Sequence, residues 1–207
     1  MAAGTLITLE GIDGAGKTTL ARAMSAALVD RGVDVELLRE PGGVPTAEAI
    51  RELINDPDRP IGARAEALLF AAARAQLVEE LLEPRLAAGA FLLVDRFIDS
   101  SLVYQGAGRE LGVAAIAQIN RFATGGLVPD RTLLLDLDPE LARARSGARG
   151  GAADRFEQES VTFFEGIASA YRERARSEPI RVRVLDASRP PERLLADALA
   201  EIADLLP

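Results

Sequence analysis

The sequence predicts an α/β fold, a five-stranded parallel sheet covered on both faces by helices. Three observations predict it. Short apolar runs alternate with helix-period stretches along all 207 residues. A glycine-rich turn joins the first apolar run to the first helix. The composition, 48% apolar and 27% charged, is that of a globular chain long enough to bury a real core.

Leu6 to Leu9 is apolar and closes on Gly11, which gives the first strand. Thr18 to Arg31 then places Leu20, Ala23, Met24, Ala27 and Leu28 at helical spacing before Gly32 stops it. Val33 to Leu38 is the second strand, Ala47 to Ile54 a short helix, and Ala65 to Ala88 a long helix with a bend expected at Pro84. Phe91 to Val94 is the third strand and Val113 to Ala123 a helix. Thr132 to Leu137 is the fourth strand, and Pro139 to Arg145 starts a helix that runs into the glycine-rich stretch Ser146 to Ala153. Phe156 to Arg176 resumes as helix, and Val182 to Leu185 is the fifth strand. Pro190 and Pro191 open a last amphipathic helix with Leu194, Leu195, Ala198, Leu199 and Ile202 on its apolar face. No repeat or linker divides the chain, so residues 1–207 are expected to form one domain.

Composition removes much chemistry. The chain has no cysteine, histidine or tryptophan, which excludes thiol nucleophiles, Ser-His-Asp triads, disulfides and zinc sites built on imidazole or thiolate. Lys17 is the only lysine, so 23 of the 24 basic residues are arginine. Carboxylates, hydroxyls, guanidinium groups and one ammonium remain, a set suited to reactions driven by positioning and charge stabilisation. A net charge of −8 argues against a protein that coats nucleic acid. The N-terminal apolar run lacks a basic flank and is too short for a signal peptide or membrane span, and no later run reaches that length, so a cytoplasmic, membrane-free protein is expected.

Gly11-Ile12-Asp13-Gly14-Ala15-Gly16-Lys17-Thr18 fits G-x-x-x-x-G-K-[ST] between a predicted strand and a predicted helix. The glycines let successive N–H groups face phosphate oxygens, the helix N-terminus adds a positive field, Lys17 reaches the outer phosphates, and Thr18 offers its hydroxyl to Mg²⁺. Where every other cation is arginine, a compact ammonium here points to a steric demand. The pattern implies a nucleoside triphosphate, with the reaction still open. A guanine-reading Asn-Lys-x-Asp element is impossible without a second lysine. A small-molecule kinase and a regulatory ATP-binding module both stay in play.

Leu93-Val94-Asp95-Arg96-Phe97 ends a buried strand on an acid and a base, where a doubly wound sheet places its ligand crevice. Asp95 can act on Mg²⁺ through water and Arg96 can fork onto a phosphate, although a strand-end ion pair would look the same. The longer segment through Ile98-Asp99-Ser100-Ser101-Leu102-Val103-Tyr104-Gln105 resembles the signature of thymidylate kinases. Glu10 to Thr19 resembles that family's P-loop, Arg39-Glu40-Pro41-Gly42-Gly43 its second-strand motif, Phe70 with Arg74-Ala75-Gln76 its base-reading helix, and Asp154-Arg155-Phe156-Glu157 the close of its lid.

The resemblance implies a P-loop nucleoside monophosphate kinase fold that converts dTMP to dTDP with Mg·ATP, a step toward dTTP, in a homodimer. Phe70 would stack on thymine while Arg74, one turn along the same helix face, donates to its carbonyl. Ser101 and Gln105 resemble positions that contact the base, Ser100 joins the same substrate-binding set, and Tyr104 resembles the residue that crowds the sugar 2′ position. Arg96 and Arg51 would clamp the acceptor phosphate, with Arg39 as a third. Asp13 resembles the acid near the sugar 3′-hydroxyl.

Some branches of the family carry an arginine inside the P-loop, where this chain has Gly14. The missing charge is then expected from a lid at about 143–156, where Arg143, Arg145, Arg149 and Arg155 bracket Gly147, Gly150 and Gly151. Arg149 and Arg155 are the leading candidates for the catalytic guanidinium. The alternatives are another nucleoside monophosphate or deoxynucleoside kinase on the same scaffold, and a non-enzymatic P-loop regulator.

Overall fold

The computed structural model describes residues 4–148 and 159–207. Five strands, β1 (Thr5–Glu10), β2 (Val35–Arg39), β3 (Phe91–Asp95), β4 (Arg131–Asp136) and β5 (Val182–Asp186), form one parallel sheet in the order β2-β3-β1-β4-β5. Every predicted strand is present, with ends shifted by no more than two residues. The helices are α1 (Lys17–Val29), α2 (Pro45–Asn55), α3 (Ala63–Leu77), α4 (Glu83–Ala87), α5 (Ile98–Ser101), α6 (Val113–Ala123), α7 (Pro139–Ala148), α8 (Val161–Ser177) and α9 (Pro191–Glu201). Among the described residues, no helix is long and apolar enough to cross a membrane.

The central strands are apolar throughout because both of their faces are covered. Ile7, Leu9 and Leu93 pack with Leu20, Met24 and Leu28 of α1, Ile167 and Tyr171 of α8, and Ala198 and Leu199 of α9. Leu6, Leu92 and Val94 alternate with them and pack with Ala47 of α2 and Ala73 and Leu77 of α3.

Three departures from the sequence expectation bear on the site. The long helix expected to bend at Pro84 instead widens into a π-helical turn at Val78–Leu82, just ahead of that proline. The stretch after β3, with no expected element, winds as α5 followed by a π-helical segment, Leu102–Gly108. The helix expected from Pro139 to Arg145 continues through Gly147 to Ala148, so 143–148 of the expected lid is helical. The rest of that lid, with Arg149 and Arg155, lies outside the described residues.

The order of strands places the functional ends side by side. β1 and β3 pair from Thr5↔Phe91 to Leu9↔Asp95, so the loop after Glu10 and the turn at Arg96 leave the sheet together. The Arg96 N–H extends this pairing by donating to the Leu9 carbonyl at 2.9 Å.

Candidate active site

The loop Gly11–Gly16 turns between β1 and α1 with Gly11, Gly14 and Gly16 at φ of 139°, 84° and 98°. Close approach explains two of these glycines. A Cβ at Gly11 would lie 2.6 Å from the Leu135 carbonyl oxygen, and one at Gly14 would lie 2.1 Å from that of Ala142 on α7. The backbone of α7 therefore occupies the space that an arginine at position 14 would need.

Lys17 is buried and curls over its own loop, its Nζ donating to the carbonyls of Gly11 and Ile12 at 2.9 Å each. Arg96 comes from the opposite side, with Nη1 donating to the same Gly11 carbonyl at 3.2 Å and to Ser100 Oγ at 3.1 Å. Its Nη2 donates to Asp13 Oδ1 at 2.5 Å, and the Tyr104 hydroxyl donates to Asp13 Oδ2 at 3.4 Å. Arg96 holds φ at 72°, a conformation in which a bulky side chain is strained, at the point where its guanidinium must turn back over β1. Burial and the facing Arg96 charge push the Lys17 ammonium down to about 8, against the pull of Asp13. Burial alone would raise Asp13, but Arg96 and Lys17 outweigh it and hold the carboxyl below its ordinary range.

Thr18 Oγ1 donates to Asp95 Oδ2 at 2.7 Å, so the two residues expected at a magnesium ion are in contact. They supply hard oxygen donors suited to that ion. Among the described residues no cluster of three or more metal-binding side chains is present, so phosphate and water oxygens would have to supply the remaining ligands.

Beside the loop opens a cleft lined by polar and apolar side chains. Asp13, Arg51, Phe70, Arg74, Arg96, Ser100, Ser101, Tyr104 and Gln105, all singled out in the sequence, line it. Arg39 does not, because its guanidinium turns to the Pro41 carbonyl and to Glu48 on α2, each at 3.0 Å. Glu40, Pro41 and Asn55 complete the wall. The first two were visible only as parts of a motif, and Asn55, at the end of α2, carried no signal. Of the four lid arginines, Arg143 borders a smaller cleft with Ile12 and Asp13, and Arg145 donates to the Ala187 carbonyl at 3.0 Å.

At the base end, Arg74 is a buried and fully committed donor. Its Nε donates to Glu40 Oε2 at 2.7 Å, Nη1 to Ser101 Oγ at 2.9 Å and to Asn120 Oδ1, and Nη2 to the Phe97 carbonyl at 3.0 Å, with Glu40 Oε2 also 2.6 Å from Nη2. The guanidinium is thereby fixed in place by Glu40 just after β2, the turn after β3, Ser101 of α5 and Asn120 of α6. Glu40 is buried and its Oε1 has no partner among the described residues. Burial pushes its carboxyl up to about 7 despite Arg74. Gln105 is held in turn by Glu66, to which its amide donates at 2.8 Å.

Comparison with known proteins gives a consistent match. A family model described as Thymidylate kinase matches residues 9–198. A thymidylate kinase of Halorhodospira halophila is 47% identical over 206 residues, covering 99% of this chain and 96% of that one. One of Ectopseudomonas mendocina is 49% identical over 205 residues, with 99% and 95% covered. One of Deinococcus radiodurans is 46% identical over 204 residues, with 99% and 98% covered.

Two measurements follow from this geometry. Because the Lys17 ammonium titrates near 8, it is charged at neutral pH and mostly neutral one unit above its pKa. ATP affinity measured by calorimetry should fall about tenfold between roughly pH 7 and pH 9, and a flat profile would remove Lys17 from the triphosphate site. Arg74→Ala would take a shared donor from Glu40, Ser101, Asn120 and the Phe97 carbonyl, and each buried polar group left unsatisfied costs about 1–3 kcal/mol. Thermal unfolding should therefore show a large loss of stability, absent from a variant of an exposed arginine such as Arg59→Ala.

Proposed function

The chain belongs to the thymidylate kinase family, and we propose that it transfers the γ-phosphoryl group of ATP to dTMP, giving ADP and dTDP on the way to dTTP. The observation that supports this most directly is the meeting of Lys17 and Arg96 on one carbonyl, that of Gly11. Two anion-binding cations from different elements converge on the line that a phosphoryl group would cross.

The acceptor phosphate is already an anion, so no general base is required. The work of the protein is to hold two anions in line and to neutralise the charge that builds between them. Lys17 and the backbone of Gly11–Thr18 take the triphosphate. Arg96 and Arg51 take the acceptor phosphate, Arg51 from a position where it donates to the Pro41 carbonyl at 3.0 Å. Phe70 stacks on the thymine and Arg74 donates to its carbonyl, with Ser100, Ser101 and Gln105 closing the base end of the cleft. Asp13 receives the sugar 3′-hydroxyl and Tyr104 excludes a 2′-hydroxyl. Thr18 would hold Mg²⁺ directly and Asp95 through water, and the ion when bound would screen the phosphate charges.

The lid, about 143–156, supplies the remaining guanidinium from Arg149 or Arg155. The protein works as one domain in the cytoplasm and as a homodimer, in which a second copy would cover apolar side chains such as Phe122, which is 92% exposed on α6.

A coupled assay of ADP release across deoxythymidine, uridine, cytidine, guanosine and adenosine monophosphates tests the reaction. dTMP should be the preferred acceptor. dUMP should be weaker by the value of one methyl, about 1–3 kcal/mol, and cytosine more strongly rejected because its amino group meets the Arg74 donor. Release with no acceptor above background would leave only a regulatory role. Replacing the acting lid arginine should lower turnover by about 10³ or more, so full turnover in both Arg149→Ala and Arg155→Ala would remove the lid from the chemistry.

A further inference from the structure

Glu10 is the last residue of β1, fully buried, and immediately precedes the phosphate loop. Its carboxylate accepts four hydrogen bonds. The N–H groups of Phe97 and Ser100 donate to Oε1 at 2.8 and 3.1 Å, and the hydroxyls of Ser100 and Tyr171 donate to Oε2 at 2.6 and 2.8 Å. None of these donors is a cation. Three of the four belong to the turn that carries Arg96, and the fourth comes from α8, 161 residues along the chain.

The direction of these bonds matters. Both hydroxyls direct their only proton to the carboxylate, although their oxygens lie 3.0 Å apart. Ser100 Oγ is thereby left as an acceptor, and Arg96 Nη1 donates to it at 3.1 Å. The same carboxylate thus pins the backbone on the C-terminal side of the strained Arg96 residue and sets the lone pair that aims its guanidinium. Tyr171 packs edge-on against Tyr104, with ring centroids 6.3 Å apart, which holds its hydroxyl toward Glu10. Neither Glu10 nor Tyr171 lines the acceptor cleft.

We propose that Glu10 and Tyr171 are positioning residues for Arg96, fixing the turn and the Ser100 hydroxyl that direct its guanidinium to the acceptor phosphate. The proposal rests on Arg96 being the acceptor-phosphate clamp. It gives α8, packed behind the cleft, a part in acceptor binding that no contact with substrate would reveal.

The test titrates dTMP and ATP separately, by calorimetry, into the full-length protein and its Tyr171→Phe, Glu10→Gln and Arg96→Ala variants, with thermal unfolding alongside. Tyr171→Phe should raise the dTMP Kd by about three- to tenfold and Glu10→Gln by more, because a hydrogen bond to a charged group is being removed. In Tyr171→Phe, which keeps the Glu10 carboxyl group, the ATP Kd should stay within about twofold, since Lys17 donates to the Gly11 and Ile12 carbonyls and to neither Tyr171 nor Ser100. A dTMP Kd unchanged in Tyr171→Phe, or equal weakening of both nucleotides, would overturn the proposal whatever happens to the melting temperature. Arg96→Ala separates the two levels. If it leaves dTMP affinity intact, the clamp itself is wrong; if it weakens dTMP while Tyr171→Phe does not, only the positioning role falls. Should Glu10→Gln fail to fold, Tyr171→Phe alone decides.

Discussion

The Gly11 carbonyl accepts from an ammonium on one side and a guanidinium on the other, and the chemistry of the cleft depends on that shared oxygen. Bringing two cations together in a partly buried place is unfavourable in the absence of ligand. The fold tolerates it because Asp13 sits between them, 2.5 Å from Arg96 and 4.0 Å from Lys17. Burial and then the neighbouring Arg96 depress the lysine, while the two cations hold the aspartate down against the effect of burial. Phosphate oxygens on both sides would relieve the repulsion that the folded chain already contains. Charge stabilisation of this kind needs little reorganisation at the moment of transfer.

Much of this architecture was legible in the sequence because its causes are local. β1 and β3 read as strands since both faces are buried, and the glycine spacing in Gly11–Thr18 follows from backbone angles that other residues adopt poorly. The segment after β3 was not legible, for an equally physical reason. Its π-helical winding buries Leu102, Val103, Tyr104, Gln105 and Gly106 consecutively, which erases the 3.6-residue alternation by which a helix is recognised. Yet that winding presents Ser101, Tyr104 and Gln105 to one cleft. Residue identities alone could nominate these side chains; only the irregular helix shows how they converge.

Arg74 illustrates a second limit. Its spacing from Phe70 predicts a shared helix face, and both residues do line the cleft. Spacing says nothing of Glu40, Asn120 and the Phe97 carbonyl, which come from three other parts of the chain and hold the guanidinium in place. The Arg74 guanidinium is therefore one member of a buried polar network, the member that also lines the cleft. Such a network favours one arrangement because every alternative strands a buried charge. Arg39 shows the converse. A nearby acid on α2 captures it, and the sequence offered no way to weigh Glu48 against a substrate phosphate.

The two helices that flank residues 149–158 are each tied to one half of the cleft. α7 presses its Ala142 carbonyl against Gly14 in the phosphate loop, and α8 reaches through Tyr171 to the carboxylate behind Arg96. Just before α8, Glu159 pairs with Arg109 at 2.5 Å, which binds that end of the chain to the π-helical wall as well. Gly14 makes this coupling possible, because any side chain there would force α7 away from the loop. The absence of a loop arginine and the close seating of α7 are thus one structural choice.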